Sequence, residues 1–143
     1  MQGFFYRYVR LYRPLITSLN DLLSDYDLSY SLWQVVFYVR NSGPCTLVEI
    51  SKHFNIEKPS VTRMVHRLEE KAMVQQIPGK DKREKIIQIT EVGEETYQTC
   101  RKKITELEYK IMKDIPEADQ MAVFETLPKI KENIIELEGE KNE

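Results

Sequence analysis

Between Lys58 and Lys85 the chain sets hydroxyl and guanidinium groups at helical spacing, then gathers cations in a turn. Pro59 suits the opening of a helix, where its missing N–H leaves no bond unmade. Val61, Met64, Val65 and Leu68 follow at i, i+3, i+4 and i+7, the pattern of one buried helical stripe. Ser60 and Thr62 place short hydroxyls in the first turn, and Thr62, Arg63, His66 and Arg67 face away from the stripe. A helix with an apolar back and a Ser/Thr/Arg front suits a major groove, because base edges and phosphates both accept from such donors. Beyond it, Pro78 to Glu84 is a turn-rich loop carrying Lys80, Lys82 and Arg83, with Asp81 among them. From Lys58 to Lys85 there are eight cations against four anions, +4 within a chain of formal net charge −2. That local excess is the footprint of an anionic partner.

The elements that must position these groups can be read outward from them. Val74–Ile77 and Lys85–Ile89 read as two short strands, the second with Ile87 and Ile89 on one face and Gln88 on the other. A helix followed by a hairpin with a basic tip is a winged helix. Upstream, Thr46-Leu47-Val48-Glu49 forms a capping box for a short helix, Leu47 to Phe54. With the turn Asn55-Ile56-Glu57 this completes a helix-turn-helix in which Ile50 and Phe54 pack under Val61 and Val65. In that geometry the first helix crosses the nucleic-acid backbone and the second enters the groove. Ser51, Lys52 and Lys58 become candidate phosphate contacts.

The run DKREKIIQITEVG, Asp81 to Gly93, resembles the wing signature of the MarR family of winged helix-turn-helix transcriptional regulators. KPSVTRMVHRLEEKAMV, Lys58 to Val74, is similar to that family's recognition helix and the strand after it. LSYSLWQVVFYVRNSG resembles its second helix. The flanking helices extend the resemblance over nearly the whole chain. It departs at Ala72, where the family usually stops the recognition helix with Gly, and at Gln76, where an Arg is common. The resemblance implies that Asp81 positions the wing by pairing with Arg83 or Arg63; from the residues alone it is a turn former beside Gly79. It also implies a homodimer, most often a repressor, released when a small molecule enters a cleft beside the second helix. Tyr12, Tyr30, Trp33 and Tyr38 are candidates to line such a cleft, although aromatics at helical spacing usually serve the core.

The rest of the chain is helical. Phe4–Ser24 carries a wide apolar band, with Pro14 expected to kink it and Arg7, Arg10 and Arg13 on its other side. Ser29 is the expected N-cap of a second helix that stops at Asn41-Ser42-Gly43-Pro44. Thr90–Asp114 and Pro116–Leu137 follow, with Pro128 expected to kink or break the last and an acidic tail to fray. The expected division is 1–26 and 91–143 for dimerisation, 27–90 for DNA binding, in one mostly α domain with a small β-hairpin wing. The first and last helices have no wing to cover, so a second copy is the economical partner. A two-fold pair would read a pseudo-palindromic double-stranded site with half-sites about one helical turn apart.

Several classes are disfavoured. At 143 residues with 41% hydrophobic content the chain can bury a real core. No stretch approaches a membrane span, and the N-terminus lacks the layout of a signal peptide, so a cytoplasmic location is expected. Cys45 and Cys100 read as ordinary thiols. His53 and His66 lie thirteen residues apart and, with the cysteines, fit no zinc spacing. No phosphate loop or nucleophile motif is present, so neither enzyme chemistry nor a metal or other cofactor is expected. The competing reading is a winged helix that contacts proteins and binds DNA without sequence preference.

Overall fold

The computed structural model describes residues 3–81 and 83–142. In chain order the elements are α1 (Phe4–Ser24), α2 (Tyr30–Ser42), β1 (Cys45–Thr46), α3 (Leu47–Phe54), α4 (Lys58–Glu70), β2 (Val74–Pro78), β3 (Lys85–Ile89), α5 (Glu91–Ile111) and α6 (Glu117–Lys141). They form two compact units, Met1–Ile104 and Thr105–Glu143, divided inside α5. The roles expected for 1–26, 27–90 and 91–143 are a division of labour, which packing does not draw.

In the first unit the core is built from the stripes that the sequence spacing marks. Val61, Val65 and Leu68 of α4 are fully buried with Ile50 of α3, Val35, Val36 and Val39 of α2, and Ile87 of β3. Phe54 packs at its edge. Trp33 is buried and stacks on Tyr97 of α5 with ring centroids 5.4 Å apart, so its role is packing. On the rim of this pair Arg40 lies 4.7 Å over the Tyr97 ring and reaches both carboxylate oxygens of Glu94 at 3.3 Å. The hydrogen bonds from Gln98 and Arg40 hold the Glu94 carboxyl below its ordinary range.

The sheet has three strands in the order β1-β3-β2, one more than the sequence suggested. Cys45 and Thr46 pair antiparallel with Ile87 and Ile86. A two-residue strand leaves no periodicity to read, and its pairing is set by where Pro44 and the cap of α3 deliver the chain. The same residue, Thr46, caps α3 by accepting the Glu49 N–H at 3.1 Å, while its hydroxyl donates to the Glu49 carboxylate at 3.2 Å. The carboxylate thus meets the hydroxyl and not the backbone N–H of a full capping box.

Four helices are closed by left-handed residues that are not glycine: Asp27, Asn55, Ala72 and Asp114 have φ of 58°, 53°, 59° and 62°, while α2 ends at Gly43 with φ 81°. At the end of α4 the Ala72 N–H donates to Glu69 O at 2.9 Å and the Met73 N–H to Leu68 O at 3.0 Å, the pair of bonds of a Schellman stop. The departure at Ala72 therefore leaves the stop intact. It costs a side chain in a region that only glycine enters freely. Gln76, the other departure, donates from its amide to the Glu69 carboxylate and ties the wing strand to α4.

Neither proline breaks its helix. α1 runs unbroken through Pro14, and α6 runs unbroken through Pro128 and into the acidic tail as far as Lys141. In the second unit no α6 residue is buried, and Met121, Phe124, Leu127 and Leu137 are exposed. Much of the expected apolar band of α1 is likewise uncovered: Phe5, Tyr8, Leu11 and Tyr12 are exposed, at 80%, 46%, 56% and 44%. No helix among the described residues is long and apolar enough to cross a membrane.

Candidate nucleic-acid interface

α4 is held by its buried stripe and by both ends. At its start Glu57 N-caps the helix without a side-chain bond, and Pro59 sits in the first turn, where the N–H groups are free in any helix. At its end Lys71 pairs with Asp27, joining the Schellman stop of α4 to that of α1. With its back fixed, the front is fixed too. Thr62, Arg63, His66 and Arg67 are exposed and Ser60 is half-buried beside them.

Their side chains are already oriented. The Arg63 guanidinium donates to Ser60 Oγ at 3.1 Å, and Thr62 Oγ1 donates back to Lys58 O at 3.0 Å. His66 Nε2 lies 3.0 Å from the Glu70 carboxylate, a partner one turn on. Arg67 and Arg63 both border a hollow of about 410 Å³ shared with Ser60 and with Ser29 and Ser31 at the start of α2. Ser31 was missed from the sequence. Its signal was present, since a Ser-x-Ser at a helix start offers hydroxyls where anions are favoured, but which helix starts beside α4 is a tertiary fact.

The wing brings a second group together. Lys58, at the head of α4, shares a hollow of about 470 Å³ with Arg83, Lys85 and Asp81 of the wing and with Thr46 of β1. Lys85 and Thr46 are additions to the expected set. Lys80 and Arg83 are exposed, while Lys82 lies outside the described residues. Asp81 does not pair with Arg83 or Arg63 through their guanidinium groups. Its carboxylate accepts the backbone N–H of Arg83 at 3.3 Å, and Glu84 N–H donates to Asp81 O at 2.9 Å. A short acid beside Gly79 closes its own turn more cheaply than it reaches an exposed guanidinium. Positioning the wing is thus a backbone matter, and Arg83 keeps its charge for another partner.

Ser51 is also corrected. Its hydroxyl donates to Ile56 O at 2.5 Å and it is half-buried, which makes it a clasp of the helix-turn-helix turn and not a phosphate donor.

The base of the wing rests on Thr90 and Gly93. Thr90 accepts the Gly93 N–H at 3.0 Å as N-cap of α5, donates to Ala72 O at 2.6 Å, and gives its own N–H to Met73 O at 3.0 Å. A Cβ on Gly93 would stand 2.0 Å from Met73 O, so backbone touches backbone there and only glycine fits.

Three of the four aromatic candidates for an effector cleft do meet. Tyr30, Trp33 and Tyr38 line a groove of about 420 Å³ between α2 and α3, together with Phe37, His53 and Phe54. Tyr12 is not on its walls: it stacks on Tyr8 along exposed α1, 6.0 Å between centroids. Burial pushes the Tyr30 phenol up from its ordinary value, with Tyr12 and Tyr8 adding to the shift and the Gln34 hydrogen bond opposing it.

Comparison with known proteins places this arrangement. The model of the MarR family matches residues 28–85, from just before α2 to the first residue of β3. Over 110 residues the chain is 36% identical to YwoH of Bacillus subtilis (strain 168), an uncharacterized HTH-type transcriptional regulator, with 77% of this chain and 80% of that one covered. The chain belongs to the MarR family. Two solved structures agree on the fold. Staphylococcus aureus MarR in complex with salicylate and kanamycin aligns with a TM-score of 0.86 at 24% identity, covering 94% of this chain and 92% of that one. A mutant MarR from E. coli complexed with operator DNA aligns with a TM-score of 0.77 at 24% identity, covering 87% and 91%. Within the MarR family frame α4 is the recognition helix, β2 and β3 are the wing, and this chain is a DNA-binding transcriptional regulator.

Proposed function

We propose that the chain is a sequence-specific regulator that binds double-stranded DNA as a homodimer, most simply as a repressor. The observation that carries this is the exposed front of α4, with Thr62, Arg63, His66 and Arg67 standing over a fully buried back. The N-terminal half of α4 enters the major groove, where Arg63 and Arg67 supply fork donors to base edges or phosphates. Ser31 and Ser29 at the head of α2 flank a phosphate in the hollow that these arginines border. Arg83, at the wing tip, reaches the adjacent minor groove, where narrow A·T-rich DNA concentrates negative potential.

The homodimer is supported by the two uncovered apolar faces, α1 from Phe4 to Leu15 and α6 from Met121 to Leu137. Faces of this kind rarely stay in water, and a two-fold pair would present two recognition helices to successive major grooves. The operator DNA in the E. coli relative's structure and the salicylate in the S. aureus one support an operator and a small-molecule effector for this chain. The effector groove is the aromatic one between α2 and α3. A ligand there works by favouring a half-site separation that no longer matches the DNA.

The test is binding of purified protein to genomic DNA fragments at two salt concentrations, beside Arg83→Ala. A specific complex should weaken with salt, and the variant should weaken it further while reducing the salt slope by about 2, one for each protomer's Arg83. Weak binding that ignores sequence and is unchanged in the variant would give the winged helix to a protein partner instead.

A further inference from the structure

The exposed front of α4 carries two rows of side chains with opposite hydrogen-bonding character. Thr62, His66 and Glu70 stand four residues apart along one row, with Arg63 and Arg67 along the next. The arginine row is all donor, because a guanidinium has no acceptor. In the other row the protons are already committed within the helix. Thr62 Oγ1 donates to Lys58 O at 3.0 Å, which leaves that hydroxyl its lone pairs to offer. His66 Nε2 faces the Glu70 carboxylate at 3.0 Å, and an ionised carboxylate is acceptor only, so the ring proton is assigned to that nitrogen. In the neutral ring Nδ1 is then an acceptor. Both side chains are mostly exposed, at 71% and 63%, so no packing fixes the ring and the carboxylate is what orients it.

An acceptor beside a row of donors distinguishes base edges. In the major groove adenine N6 and cytosine N4 donate, whereas thymine O4 and guanine O6 accept. We infer that His66 reads an exocyclic amino group, that of adenine or cytosine, and that Glu70 is its positioning residue, holding the tautomer that leaves Nδ1 free to accept. This rests on the DNA-binding reading above and assigns part of its sequence specificity. Thymine and guanine are disfavoured at that position because a keto oxygen would face the Nδ1 lone pair. The arginines alone would not give this preference, since their donors suit the keto bases.

The test begins with a duplex pool of randomised core, enriched on the full-length protein at about pH 8, where histidine rings are neutral. In one half-site of the selected duplex, each adenine is replaced in turn by purine and each cytosine by 2-pyrimidinone, bases that lack the amino group alone. Binding is measured for wild type, His66→Ala and Glu70→Gln. His66 and Glu70 lie outside the core, so the variants keep the fold, and thermal unfolding verifies it. The His66→Ala series also cancels any cost that the altered bases impose on the duplex itself. At one position the deletion should weaken wild-type binding about tenfold and His66→Ala binding hardly at all. Gln at position 70 can give or take a hydrogen bond, which frees the ring to hold either tautomer. The pool selected by Glu70→Gln should therefore admit guanine and thymine at that position. Amino deletions that cost His66→Ala as much as wild type overturn the inference and leave the DNA-binding reading standing. A preference lost in Glu70→Gln but kept in His66→Ala overturns it too, by giving the contact to Glu70 itself. A preference kept in Glu70→Gln overturns the positioning role. A wild type that enriches no site removes both this inference and the reading it rests on.

Discussion

Replacing Ala72 with glycine should stabilise the protein, and the size of the gain follows from its geometry. Ala72 holds φ at 59°, where an L side chain costs about 1–2 kcal/mol. Its methyl group is exposed, so no packing is lost on removing it. Glycine carries its own cost of roughly 0.5–1 kcal/mol in unfolded-state freedom. The difference leaves a net gain of about 0.5–1 kcal/mol, equivalent to a rise in Tm of roughly 2–4 °C for a chain of this size. The hydrogen bonds of the stop use backbone atoms only, and the Thr90 bond to Ala72 O survives the change. Thermal unfolding of wild type and Ala72→Gly at one fixed concentration measures the gain, since the Tm of any self-associating protein depends on concentration. Ala72→Val is the counter-test and should lower Tm, because a β-branched side chain tolerates this φ least. A glycine variant that melts at or below wild type would refute the assignment of strain to this position.

Other consequences are as specific. Gly93→Ala should cost roughly 3 kcal/mol or more, visible as a lower midpoint in urea, because its Cβ would lie 2.0 Å from a backbone oxygen that cannot step aside. Burial pushes the thiols of Cys45 and Cys100 up to about 11, so native protein at pH 7.5 should react slowly with a thiol reagent and yield both thiols only on unfolding. The same shift fixes a sign for stability: the native state keeps these protons longer than the unfolded chain, so stability is full below about pH 9 and falls as pH rises toward about 11. A midpoint that stays flat or rises across that window would contradict the burial of both thiols.

Most of the fold was legible because its signals are local and agree with one another. The stripe Val61, Met64, Val65, Leu68 and the cap residues Ser29, Thr46 and Thr90 each announce a helix within a few residues of its observed end. What escaped were facts of assembly. β1 has two residues and exists only because β3 is there to pair with it. Pro128 reads as a kink or a break, yet α6 continues through it, because a helix accommodates one missing donor when the helix around it continues. In the site, the front of α4 followed from the position of its back. Asp81 and Ser51 did not, since a short polar side chain chooses between a distant partner and its own turn only once the turn is built. Tyr12 shared its type with the groove residues and not their place, which no spacing within one helix reveals.

In the proposed complex, α4 and the wing of a two-fold pair read DNA together. A hydroxyl-radical footprint on a selected genomic site tests it most directly, with wild type and Arg83→Ala side by side. Two protected patches related by a two-fold axis are expected, centred about one helical turn apart, with flanking minor-groove protection that disappears in Arg83→Ala. A single patch, or a footprint whose flanks are unchanged when Arg83 is removed, would contradict it.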